Sequence, residues 1–203
     1  MFNLPASTIV NRRIPKELIY EKFSEELSGK RKHAFDTEIS KITITNEISE
    51  LSVDAKAGES ISAIFVLLVE LNTRNFSNAN IELLTKLLGQ KILIVLNYKD
   101  GYRLAIYEYK LLLGKWKKED EIALNIQGTD LELVWENLVK QVIKVEIEEG
   151  NSLQEQLAIE ANKNKLRKLI EKTERQARKG TQAKKSFELY KKIQEYKEEL
   201  ESM

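Results

Sequence analysis

The chain is 203 residues long, 42% hydrophobic and 32% charged, which suits one compact domain with an appendage. It has no cysteine and a single histidine, His33, which excludes thiolate nucleophiles, disulfides and zinc held by thiolate or imidazole groups; oxygen-ligand metal chemistry stays open. The formal net charge of +1 hides a split: residues 163–192 carry 12 Lys and Arg against 3 Asp and Glu, while the remainder carries 21 against 29, a segregation that bears on partners rather than fold.

The opening MFNLPASTIVNRR lacks the basic start and apolar run of a signal peptide. The longest apolar run, Ala63 to Val69, is far short of the roughly 20 residues that span a bilayer. The chain is therefore expected in the cytoplasm with no membrane partner. Pro5 and Pro15 stiffen an N-terminal arm that bears Asn11, Arg12, Arg13 and Lys16. Such an arm either binds a partner or closes over the sheet and caps the first helix. From Pro15 onward, PKELIYEKFSEEL places Leu18, Ile19, Phe23 and Leu27 on one helical face. The polar GKRKHAFD that follows offers His33 no triad spacing and reads as surface.

EISKITITNEI alternates β-branched and polar residues as a half-buried strand does, ELSVDA reads as a short second strand, and ISAIFVLLVELN as a central strand buried from both sides. SNANIELLTKLLG predicts a short helix with Ser77 or Asn78 as N-cap and Gly89 as its stop. KILIVLNYKDGYRLAIYEYK predicts two strands turned at Asp100-Gly101. DEIALNI reads as a further strand, and TDLELVWENLVKQVIKV as a helix with Leu131, Val134, Trp135, Leu138, Val142 and Ile143 inward behind a Thr129 or Asp130 cap. The expected fold of residues 1–150 is α+β, a mixed, largely antiparallel sheet with flanking helices.

Beyond Gly150, Ile159, Leu166, Ile170, Thr173 and Ala177, then Leu189, Ile193, Tyr196 and Leu200, keep the spacing of a coiled-coil-like seam. Gly180-Thr181 separates the two runs, which predicts a charged helical hairpin over 151–203, with one kinked helix as the alternative. Its basic tract, Arg167, Lys168, Lys172, Arg175, Arg178 and Lys179 on one side and Lys184 and Lys185 on the other, can contact phosphates, dock an acidic partner or stay solvated.

The order helix, three strands, helix, strand is similar to the PD-(D/E)XK nuclease core, in which strand carboxylates hold Mg²⁺ and activate water. Asp54 and Glu70 are the candidate carboxylates, with Mg²⁺ the only cofactor implied, and under this alternative alone. Residue 72 shares the face of Glu70, but it is Asn rather than Lys, so the missing charge would have to come from Lys41, Lys56 or Arg74. Tyr98, Tyr102, Tyr107 and Tyr109 either stack bases or form ordinary cross-strand pairs. The chain has no G-x-x-x-x-G-K-[S/T] loop, which argues against nucleotide hydrolysis.

FNLPASTIVNRRIPKELIY, the block FVLLVEL…LLTKLLGQKILIVLNYKDGYRLAIYEYK and the tail KLIEKTERQARKGTQAKKSFELYKKIQEYKEEL together resemble the bacterial domain-of-unknown-function family four-three-nine-one. The resemblance covers nearly the whole chain and is most specific in the arm, at Leu4-Pro5, Ser7-Thr8, Val10-Asn11-Arg12 and Ile14-Pro15-Lys16. It implies a gene neighbourhood of helicases and DNA methyltransferases in restriction and defence loci, and no established activity. The resulting expectation is a non-catalytic accessory protein that binds a helicase or methyltransferase, with nucleic acid touched by the basic tip. A metal-dependent nuclease, active or degenerate, and a coiled-coil self-association module are the alternatives.

Overall fold

The aliphatic and β-branched runs assemble, side by side in chain order, into one sheet of six strands: β1 (Ile9–Ile14), β2 (Ile39–Ser49), β3 (Ala63–Leu71), β4 (Lys91–Tyr98), β5 (Gly101–Glu108) and β6 (Lys110–Leu113). Neighbours are antiparallel except β3 and β4, which run parallel because the crossover through α3 (Asn78–Leu84) returns the chain to the starting end. The computed structural model describes residues 2–143, 153–179 and 183–201, divided into two compact units, Met1–Lys144 and Val145–Met203. The first unit is the expected α+β domain.

Both faces of the sheet are covered. On one, α1 (Lys16–Lys22), α2 (Gly29–Glu38) and α3 bury Ile19, Phe35, Ile81 and Leu84 against Ile42, Leu67 and Ile94. The alternate strand residues Ile64, Val66, Leu93, Val95 and Ile106 are buried on the other, the side of α4 (Leu131–Ile143). There Leu131, Val134, Trp135 and Leu138 are buried, each worth roughly 1.5–3 kcal/mol in area removed from water. Asp130 caps α4 by accepting from Leu133 N at 2.9 Å. The Trp135 indole N–H and the Lys91 ammonium both donate to Glu108, tying α4 to β4 and β5.

Four local expectations are corrected. First, α1 stops at Lys22, and the polar GKRKHAFDTE is itself a helix, α2; it has no apolar stripe because Phe35 alone anchors it, and His33 is exposed. Second, ELSVDA is a set of turns with Leu51 99% exposed, because Ser52 Oγ accepts from Ser49 N and donates to Glu47 O, folding the chain back at the end of β2. Third, DEIALNI is not a strand: Ile122 and Leu124 are buried from an irregular stretch that joins the fold through Leu124 N and Phe2 O. The sixth strand is β6, reached through Tyr109 at φ 57°, so Tyr109 does not share a strand face with Tyr107. Fourth, the β4–β5 turn is Lys99-Asp100, because Tyr98 pairs with Gly101 and the positive φ falls on Lys99.

In the second unit, α5 (Leu153–Lys179) and α6 (Ala183–Glu201) pack on each other across a connection short enough to make them an antiparallel hairpin. Leu166, Thr173, Ala177 and Ile193 are buried in the seam, and Thr173 Oγ1 is satisfied by Leu169 O at 2.7 Å. Glu174 and Lys197 join the helices at 3.6 Å. The expected boundary at Gly150 and the turn at Gly180-Thr181 lie outside the described residues. Among those described, no helix is long and apolar enough to cross a membrane.

Candidate functional site

Three connections converge near the carboxyl ends of the parallel strands β3 and β4: the segment after β3, the β4–β5 turn and the segment after β6. Crevices at such strand ends are where open sheets with parallel strands gather ligands. Here a cleft of about 450 Å³ is lined by Arg74, Tyr98, Lys99, Asp100, Gly101, Trp116, Lys117, Lys118 and Glu121. Its walls are braced from within. Asn97 Nδ2 donates to the carbonyls of Lys99 and Gly101 at 3.0 and 3.2 Å, which holds the turn. A pair of backbone bonds between Tyr102 and Lys117, at 2.8 and 2.9 Å, pins the Trp116 segment to β5. Lys118 N donates to Glu121 Oε2 at 2.7 Å and shapes the next turn.

Trp116 organises the cations. Its ring rests over Gly101, where an added Cβ would lie 3.5 Å from the indole. The guanidinium of Arg74 lies 5.4 Å from the ring centroid and that of Arg103 6.0 Å. Arg103 also donates from Nε to Gly114 O at 2.7 Å, so its position is set by backbone as well as by the ring. Burial first, and the neighbouring Arg74 charge second, pull the Arg103 guanidinium below the ordinary arginine range. Neither arginine has a carboxylate partner among the described residues. The cleft itself is lined by four cations, Arg74, Lys99, Lys117 and Lys118, against two carboxylates, Asp100 and Glu121, beside two aromatic rings, while Arg103 stands on the same indole outside that lining. That combination suits an anion carrying planar groups.

The residues expected from the sequence fall elsewhere. Asp54 is exposed in the loop after β2, and Glu70 is next to last in β3, roughly 20 Å along that strand from Ala63, which pairs with the end of β2. The structure does not bring these two carboxylates together. Glu70 instead pairs with Lys41 across the sheet at 3.0 Å. Among the described residues no three His, Asp or Glu side chains cluster as a metal site would require. Asn11 sits in a bulge of β1 at φ 50°, Arg12 and Arg13 are exposed on that edge strand, and Lys16 pairs with Asp36 at 3.1 Å. The arm thus closes one edge of the sheet. On α5, Arg167, Lys168, Lys172, Arg175 and Arg178 are exposed, Arg175 being paired with Glu171. The side chains of Lys179, Lys184 and Lys185 lie outside what is described.

Of the four tyrosines, Tyr98 lines the cleft, whereas Tyr102 packs edge-on against Phe2 with centroids 5.6 Å apart. Arg103, Trp116, Lys117 and Lys118 were not singled out from the sequence. The signal that could have found them is Lys115-Trp116-Lys117-Lys118, an aromatic ring set among cations just after a strand.

Fold and cleft together define an α+β protein with a cationic, aromatic-walled crevice and a separate charged helical hairpin. Residues 2–200 match the family described as domain of unknown function (DUF4391), and the chain belongs to that family. No curated protein and no solved structure matches the chain.

Proposed function

We propose that this protein is a non-catalytic nucleic-acid-binding accessory protein, working beside a DNA-processing enzyme such as a helicase or methyltransferase in a restriction or defence setting. The observation that carries the binding part is Arg74 in the cleft wall, held over the Trp116 indole beside Arg103, with neither guanidinium in an ion pair among the described residues. Two fixed like charges repel, and a bound phosphate relieves that repulsion while accepting their N–H groups. The exposed Lys168, Lys172 and Arg178 of the helical hairpin offer further phosphate contacts or a docking face for the partner enzyme. The enzyme partner and the defence setting rest on the family resemblance.

The test is binding of labelled DNA by the intact protein across a salt series, with the Arg74→Gln variant alongside. Arg74 is exposed, so its replacement leaves the fold in place. Binding that weakens with salt and falls in the variant supports the proposal; no binding at low salt removes it.

A further inference from the structure

We infer that the ligand of the cleft is an unpaired nucleotide, with its phosphate on Arg74 and its base against the ring of Tyr98, beside Trp116. This inference rests on the nucleic-acid reading of the same cleft but goes further, because cations alone would serve a duplex equally well. Phosphates of a duplex are reached from outside, whereas its bases are stacked inside and out of reach of a ring set in a concavity. Here the aromatic rings line the cleft itself, together with the cations, and the turn braced by Asn97 keeps Tyr98 in that wall. The cleft's volume of about 450 Å³ falls in the size range of small-ligand sites, and it is open to solvent, as a strand that continues past the bound nucleotide requires. Tyr98 and Trp116 also lean on the core that lies under α1 to α3, so the rings are fixed in place and lose little freedom when a base stacks on them. Nothing in this arrangement reads base edges; the expected preference is for strandedness, with every base accepted.

An unpaired nucleotide can come from a single strand or from a free nucleoside monophosphate, and competition separates the two. Labelled single-stranded DNA of mixed sequence and its duplex are titrated with wild type, Arg74→Gln and Tyr98→Leu, the last keeping apolar bulk against the core; adenosine monophosphate and inorganic phosphate serve as competitors. The expected results are single-strand binding at least about fivefold tighter than duplex, the lower bound of one stacked base, loss of that ratio in Tyr98→Leu, and loss of affinity for both probes in Arg74→Gln. Adenosine monophosphate should displace the strand at concentrations where inorganic phosphate does not. Binding of the monophosphate without binding of either DNA would keep the unpaired nucleotide and assign it to the free form, while ending the nucleic-acid proposal. Equal binding of strand and duplex by wild type overturns the inference and leaves a phosphate-only nucleic-acid site, an outcome that needs no variant to fold. Absence of binding to every probe overturns both.

Discussion

The guanidinium of Arg103 lies near enough to that of Arg74 for the second charge to help lower the affinity of the first for its proton. Like charges held together repel, and a bound anion relieves that repulsion, which makes such a pair a candidate anion site. Replacing Arg74 by Gln should therefore leave thermal stability within about 0.5 kcal/mol of wild type or slightly above it. The same change should lower the magnitude of the log affinity against log salt slope by about 0.7 to 0.9, the value of one phosphate contact. A variant that unfolds early while binding normally would show the pair to be structural.

Glu38, at the end of α2, accepts from Ser77 N at 2.9 Å and from Asn80 Nδ2 at 2.7 Å, tying α2 to the first turn of α3. Asn80 is 1% exposed, so removing its partner strands a buried amide. Glu38→Ala should cost about 1–3 kcal/mol in urea unfolding. A loss well under that would mean that another group satisfies Asn80.

Much of this was readable in the one-dimensional pattern, for reasons that differ by element. β3 was legible because a strand apolar on both faces has few homes other than the centre of a covered sheet, and α4 because its inward residues recur at helical spacing. Periodicity failed where burial is sparse or the backbone irregular. α2 hangs on Phe35 alone, and an extended loop that buries Ile122 and Leu124 has the same alternation as a strand without its hydrogen-bond ladder. The cleft was hidden for a further reason: Arg74 and Trp116 lie on two separate connections and Tyr98 ends β4, and only the register of β3 through β6 brings the three together. Asp54 and Glu70 were misplaced by the same register, which sets them at opposite ends of one strand pair.

Asp36 gives the fold an acid-side dependence. Burial alone would raise its carboxyl, but hydrogen bonds from Tyr20 and Lys16 and the charges of Lys16 and Lys32 outweigh that and hold it below the ordinary aspartate value. A depressed folded value means that the contribution is fully present above the unfolded value, about 3.9, and is lost as pH falls through the folded one. Melting temperature should therefore decline below about pH 4 in wild type, and less steeply in Asp36→Asn. Identical slopes in the two proteins would place the acid sensitivity in other carboxylates.

Glu132 and Gly58 share one contact. The carboxylate accepts from the backbone of Ser60 and Ile61 at 2.8 and 3.1 Å, in space that a Cβ on residue 58 would occupy. Gly58→Ala should push the carboxylate off these donors, so that Gly58→Ala and Glu132→Ala each destabilise and the double variant is no worse than the larger single one. Additive losses in a thermal double-mutant cycle would show that the two positions act separately.

The two compact units predict a separable tail. A chain ending at Asn151 should melt cooperatively, since the sheet and its covering helices are complete by Ile143. In the intact chain, changing Lys168, Lys172 and Arg178 to Gln should weaken DNA binding without moving the melting temperature. If capture of a partner enzyme falls instead and DNA binding holds, the hairpin face docks protein.

The nucleic-acid reading is tested most directly by fluorescence anisotropy of labelled single-stranded DNA titrated with intact wild type and with Arg74→Gln over a salt series. Salt-sensitive binding by wild type, with lower affinity and a shallower slope in the variant, is the predicted result. Absence of binding at low salt, or identical curves for the two proteins, would contradict it.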